Sequence, residues 1–134
     1  MKITHDSQNK QLEIQDDMKS LLGAQRIVVS IVLITAVAKM FLIDWNTIDL
    51  YDYVFILILG IFTYLFIKNF FFKTSAAIIK IEDISYLKKA KGIRSKAYLK
   101  LKNGKIREFS NIRSRDEQID IPSKMRKAGI MIKV

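Results

Sequence analysis

The chain contains no cysteine, a single histidine, a single proline and five glycines in 134 residues. Without cysteine there is no disulfide framework, no thiol nucleophile and no thiolate metal site. The histidine, His5, lies in a polar N-terminal stretch, which leaves little material for a metal site or a nucleophile–base pair. No GxxxxGK[ST] or GxGxxG loop occurs to cradle a phosphate. The adjacent carboxylates Glu82-Asp83 and Asp116-Glu117 fall at expected turns, where acidic residues are common. These absences predict a protein that is not an enzyme and carries no cofactor or metal.

Charge is also scarce in two long stretches. Residues 27–43 read IVVSIVLITAVAKMFLI, and residues 53–67 read YVFILILGIFTYLFI, extended by Phe70, Phe71 and Phe72. A membrane-spanning helix needs about 20 mostly apolar residues. The pattern predicts an α+β membrane protein. Residues 1–25 form a cytoplasmic segment, 26–72 a two-helix transmembrane hairpin (about 26–43 and 53–72), and 73–134 a small basic cytoplasmic domain. The first apolar run follows a polar stretch with no small-residue cleavage site and reads as a retained span.

Loop 44–52 holds Asp44, Asp49 and Asp52 and no lysine or arginine, whereas Lys19, Arg26, Lys68 and Lys73 flank the spans. Positive flanks stay cytoplasmic. The expected placement is the cytoplasmic membrane, multi-pass, with both termini inside and the acidic loop outside. Trp45, Tyr51 and Tyr53 mark the external interface and Lys68 the internal one. Lys39 lies about a turn from the loop, so its stem can carry the amine to the external interface, with Asp44 or Asp49 as partner. Ser30, Thr35, Ala36, Ala38, Gly60 and Thr63 offer small surface for helix contact, without a GxxxG.

Before the first span, Ile14, Met18, Leu21 and Leu22 recur at helical spacing. This predicts an N-terminal amphipathic helix from about Gln8, preceded by a disordered start and bent at Gly23. It lies on the membrane surface or packs on the C-terminal domain.

After residue 72 the period shortens to that of strands. Segments 77–81 and 84–87 are β-rich. Segment 95–102 (SKAYLKLK) alternates, with Ala97, Leu99 and Leu101 on one face. Asn103-Gly104 predicts a type I′ turn, which needs positive φ at both central residues. Segment 105–109 (KIREF) returns with Ile106 and Phe109 inward. This is the pattern of an antiparallel sheet with one solvated face. Residues 111–120 read as a loop, Pro122-Ser123 starts a short helix over 124–128, Gly129 caps it, and 130–134 closes as a last strand.

Two spans followed by I-x-I-x-x-I-x-x-L over residues 79–87, then YLKLKNGKIREF over 98–109, resemble small bacterial membrane proteins with a pleckstrin-homology-like cytoplasmic domain. The resemblance covers residues 78–109. It implies a membrane-surface scaffold or interaction module rather than a reaction.

Residues 73–134 carry 17 Lys and Arg against 6 Asp and Glu. Lys96, Lys100 and Lys102 on one strand, with Lys105 and Arg107 on its partner, are expected to form a compact outward cationic patch. Its partner is the anionic inner leaflet or an acidic protein, and a homo-oligomer is a further option. Nucleic acid is not expected, because no binding motif is present. The expected function is a membrane-anchored interaction or regulatory module, a small subunit of a membrane complex. The alternative is an immunity or exclusion protein against a membrane-active toxin or phage.

Overall fold

The computed structural model describes residues 1–90, 96–109, 112 and 115–134. The chain divides into two compact units, Met1–Leu21 with Phe72–Val134, and Leu22–Phe71.

In the second unit, α1 (Met18–Phe41) begins just before the boundary and α2 (Leu50–Ile67) continues into a π-helical turn, Lys68–Phe72. At 1.5 Å per residue, the 24 residues of α1 and the 23 of Leu50–Phe72 each reach about 35 Å, more than a bilayer's hydrocarbon core. Both are long and apolar enough to cross a membrane, and only 17% and 6% of their most apolar stretches are buried. Such exposure is the reverse of a core helix. From Leu22 on, the buried apolar positions of α1 and its exit, Leu22, Val29, Ala36 and Ile43, recur seven apart. A seven-residue stripe stays nearly on one side of a helix. Gly60 lies on an exposed side, and the Thr35 and Thr63 hydroxyls donate to the Ile31 and Leu59 carbonyls of their own helices, at 2.9 and 2.7 Å.

The first unit is β-rich. Strands β1 (Lys2–Asp6), β2 (Gln11–Gln15) and β3 (Ile78–Lys80) form an antiparallel sheet in that order. Strands β4 (Ile84–Lys88), β5 (Tyr98–Leu101), β6 (Ile106–Glu108) and β7 (Ile132–Lys133) form a second sheet in the order β6-β5-β4-β7, where β7 runs parallel to β4. A 3₁₀ turn, Ile81–Asp83, carries the chain from one sheet to the other. Both sheets and α3 (Arg115–Lys127) close on one core, built from Leu12, Ile14 and Ile79, then Leu87, Leu99 and Phe109, then Ile121 and Met125.

Two sequence expectations are corrected here. The N-terminal amphipathic helix is instead the β1–β2 hairpin. Ile3, Leu12 and Ile14 are buried in strand alternation, and Asp6 organises the turn by accepting from the backbone N–H groups of Gln8 and Asn9. Helix begins only at Met18, so Ile14 belonged to a period of two and not of 3.6. The terminal helix starts at Arg115 and includes Pro122, with Asp116 and Glu117 in its first turn, where carboxylates favour the helix dipole. Proline there removes one N–H, the partner of the Gln118 carbonyl, without ending the helix. Gly129, at φ +79°, ends it: its N–H bonds Arg126 O and the Ile130 N–H bonds Met125 O, the expected glycine cap.

Candidate functional site

The site is set by one turn. Leu101 O accepts from the Gly104 N–H at 3.1 Å, and the Leu101 N–H donates to Lys105 O at 2.9 Å. Gly104 has φ +85°, whereas Asn103 keeps a negative φ. The loop is therefore a three-residue type I turn closed by a glycine bulge, not the two-residue type I′ turn. The difference is a single residue of register. Leu99 pairs with Arg107 and Lys100 with Ile106. A one-residue shift turns every side chain to the other face. Arg107, expected in the outward cationic patch, is 1% exposed, and Ile106 is turned outward in its place. Phe109 faces inward as expected.

Arg107 then satisfies its donors inside. Nη2 and Nη1 reach the two carboxylate oxygens of Asp16 at 2.7 and 3.3 Å, and Nε donates to Ala76 O at 2.9 Å. Nη1 also meets Glu108 O. The side chains of the ion pair are 1% and 2% exposed. Asp16 Oδ1 also accepts the Met18 N–H, the first of α1, at 3.2 Å. Ile14 donates to Ala77 O at 2.7 Å. One buried guanidinium thus stitches together the two chain segments that lead to and from the apolar helices. Sequence reasoning missed this pair. Its only signal was that Asn-Gly also suits a three-residue loop with glycine in the left-handed position.

Among the other expected patch residues, Lys96, Lys102 and Lys105 are exposed and Lys100 is half-buried, its Nζ donating to Gly104 O at 2.6 Å. Lys96 lies four residues, about 13 Å, from Lys100 along the strand direction. The expected compact cluster of five is therefore a looser set of four.

The outward face continues across β4 and β7, and its rows follow from the pairing. Glu108, Tyr98, Lys88 and Lys133 stand in one row, and Ile106, Lys100 and Tyr86 in the next. A bulge at Ser85 gives β4 its two inward residues, Ile84 and Leu87, while Tyr86 and Lys88 turn out. Lys133 Nζ sits 4.3 Å from the Tyr86 ring centre and Lys88 Nζ 6.0 Å from that of Tyr98. Glu108 is engaged by Lys73 at 3.0 Å. Lys88 and Lys133 are directly paired like charges, and among the described residues neither has a carboxylate partner.

In the apolar hairpin, Lys39 meets Asp52 at 3.7 Å, not Asp44 or Asp49. Asp52 sits in the first turn of α2, locked in a reciprocal capping box with Asp49. Asp44 is instead turned on its own loop, where the Asn46 N–H and then the Thr47 hydroxyl hold its carboxyl below the usual range. At the other end, Arg26 Nε donates to Asn69 O at 3.1 Å and its guanidinium lies 5.1 Å from the Phe70 ring centre. The two contacts tie the ends of an antiparallel helix pair. Trp45, Tyr51 and Tyr53 are exposed near the loop, and Lys68 Nζ lies 5.8 Å from the Tyr64 ring centre.

Compared with known proteins, the chain matches no family model, no curated protein and no solved structure.

Proposed function

We propose that this protein is a membrane-anchored, non-enzymatic interaction module: a two-span hairpin holds a basic β unit at the cytoplasmic face as part of a larger membrane assembly. The observation that carries this reading is the partition of charge. The hairpin unit holds three basic and three acidic residues, so the whole net charge of +10 belongs to the β unit. Exposed apolar helices suit lipid, and a concentrated positive surface suits an anionic partner. The acidic, lysine-free loop between basic flanks favours a topology with both termini inside.

Reporter fusions test the topology. A reporter at Val134 is active only in the cytoplasm and one at Asn46 only outside. An external Val134, or a chain released from membranes by alkaline carbonate, overturns the reading. Affinity purification of the full chain from native membranes then identifies the assembly.

A further inference from the structure

We propose that the outer face of the β6-β5-β4-β7 sheet is a docking surface for an anionic phospholipid leaflet, centred on the Lys88–Lys133 pair. This rests on the membrane anchoring proposed above and names the ligand.

Lys88 and Lys133 are cross-strand partners on neighbouring strands, which lie about 4.8 Å apart. Like charges directly opposite destabilise a sheet. Here each ammonium lies over a tyrosine ring, Lys133 over Tyr86 at 4.3 Å and Lys88 over Tyr98 at 6.0 Å. The rings hold the two charges in place without neutralising them. Glu108, the carboxylate in the same row, is taken by Lys73. Lys100 extends the face in the next row, and Lys102 lies beyond it at the turn.

The same geometry decides among anionic occupants. Single-stranded nucleic acid binds such sheets by stacking bases on aromatic faces, but here lysine ammoniums lie over the ring faces. An acidic protein segment offers carboxylates but gives no role to the apolar residues at this edge. Met131 is 64% exposed and Val134 88% exposed, flanking β7. Lysine, tyrosine and an exposed apolar side chain together match the lipid–water interface, where ammonium meets phosphate, the phenol sits at headgroup depth and the apolar group enters the acyl boundary.

The lack of cysteine makes the test clean. The full chain carrying Ser85→Cys, an exposed position beside Tyr86, is labelled with an environment-sensitive fluorophore and placed in nanodiscs of neutral lipid or of about a third anionic lipid. Thr4→Cys, exposed on the other sheet, is the control. The expected result is protection of label 85 from an aqueous quencher in anionic discs only. Salt at about 0.5 M reverses it, and label 4 does not respond. The Lys88→Gln/Lys133→Gln variant should shift the docked-to-free ratio about 25-fold toward free, about fivefold per lysine. Its thermal unfolding should come no lower than the parent's, since a like-charge pair is relieved.

Equal protection in neutral and anionic discs overturns the inference, as does a double variant that behaves like the parent. Protection by added polyglutamate without any lipid effect assigns the face to an acidic protein and overturns the lipid reading. A chain that does not co-elute with discs overturns the anchoring, and the inference with it. A chain that co-elutes but shows no charge-dependent protection overturns the inference alone.

Discussion

In the apolar hairpin, Lys39 meets Asp52 near one end and Arg26 meets the Asn69 carbonyl near the other, and many of the apolar side chains are exposed. In the β unit the order inverts. Apolar side chains close inward on one core, one ion pair is buried with them, and the rest of the unit's charge is 19 basic residues against 9 acidic ones. The hairpin spends its polar groups on holding two helices together. The β unit buries one arginine in an ion pair and keeps the Lys88–Lys133 pair on its outer face. Charge is therefore informative here by its location. A cation that the fold has already satisfied, such as Arg107, says nothing about ligands. A like-charged pair left unneutralised, such as Lys88 with Lys133, does.

The sharpest break of this comparison separates the β unit from its N-terminal strands. Residues 73–134 alone look like a domain by composition, but they lack β1, β2 and Asp16. Ile3, Leu12 and Ile14 are lost from the core, at 7%, 0% and 1% exposure. Burial of each contributes about 1.5–3 kcal/mol, and their sum approaches the whole stability of a small domain, about 5–15 kcal/mol. Residues 73–134 should show no dispersed amide spectrum. A chain in which a Gly/Ser linker replaces residues 22–71 should fold. A folded 73–134 fragment would show that the β1–β2 hairpin is an accessory.

The next largest effect falls on the buried pair. Arg107→Ala removes the guanidinium from the buried Asp16 carboxylate, a loss of about 3–5 kcal/mol. Arg107→Met with Asp16→Leu removes both charges, and should recover most of that loss. Hydrogen exchange of the β5 and β6 amides in the full chain measures both. Equal destabilisation in the single and double variants would mean that shape, not charge, holds the two connectors together.

These contrasts also explain which parts were legible in the sequence. The helices were, because long apolar runs carry a strong local signal: α1, and α2 with its π turn, cover nearly all of the expected 26–43 and 53–72. Strands β3, β4 and β5 were legible as short β-rich segments, as was the glycine cap after α3. Register was not. Asn103-Gly104 permits loops of two or three residues, and one residue decides whether Arg107 is ligand or core. The β1–β2 hairpin was hidden because Ile14, Met18, Leu21 and Leu22 fit a helical stripe, although the chain changes period between Ile14 and Met18. The Lys88–Lys133 pair escaped for a different reason. A parallel partner 45 positions away leaves no local pattern, and its tyrosines meet the lysines only once β4, β5 and β7 are side by side.

The smallest expected effect compares two exposed turns, one in each unit. Asp6 accepts from the Asn9 side-chain amide at 2.8 Å, and from the backbone N–H groups of Asn9 and Gln8 at 3.2 and 2.9 Å. These bonds, the Asn9 side chain first, hold its carboxyl below the usual range. Asp44 is lowered in the same way by Asn46 and Thr47. A carboxyl whose folded pKa lies below its unfolded value, about 3.9, stabilises the fold above that pH and loses the contribution as pH falls through the lower folded value. Both turns should therefore hold through neutral and mildly acidic pH and loosen only in strong acid. Proton exchange and chemical shifts of the Gln8, Asn9 and Asn46 amides, followed down the pH scale, report this directly. Asp6→Asn keeps an acceptor for the turn but removes the ionisation, so the acid response of Gln8 and Asn9 should vanish while that of Asn46 remains. Titration of Asp6 at or above an ordinary aspartate would mean that its turn holds the chain without preferring the charged form.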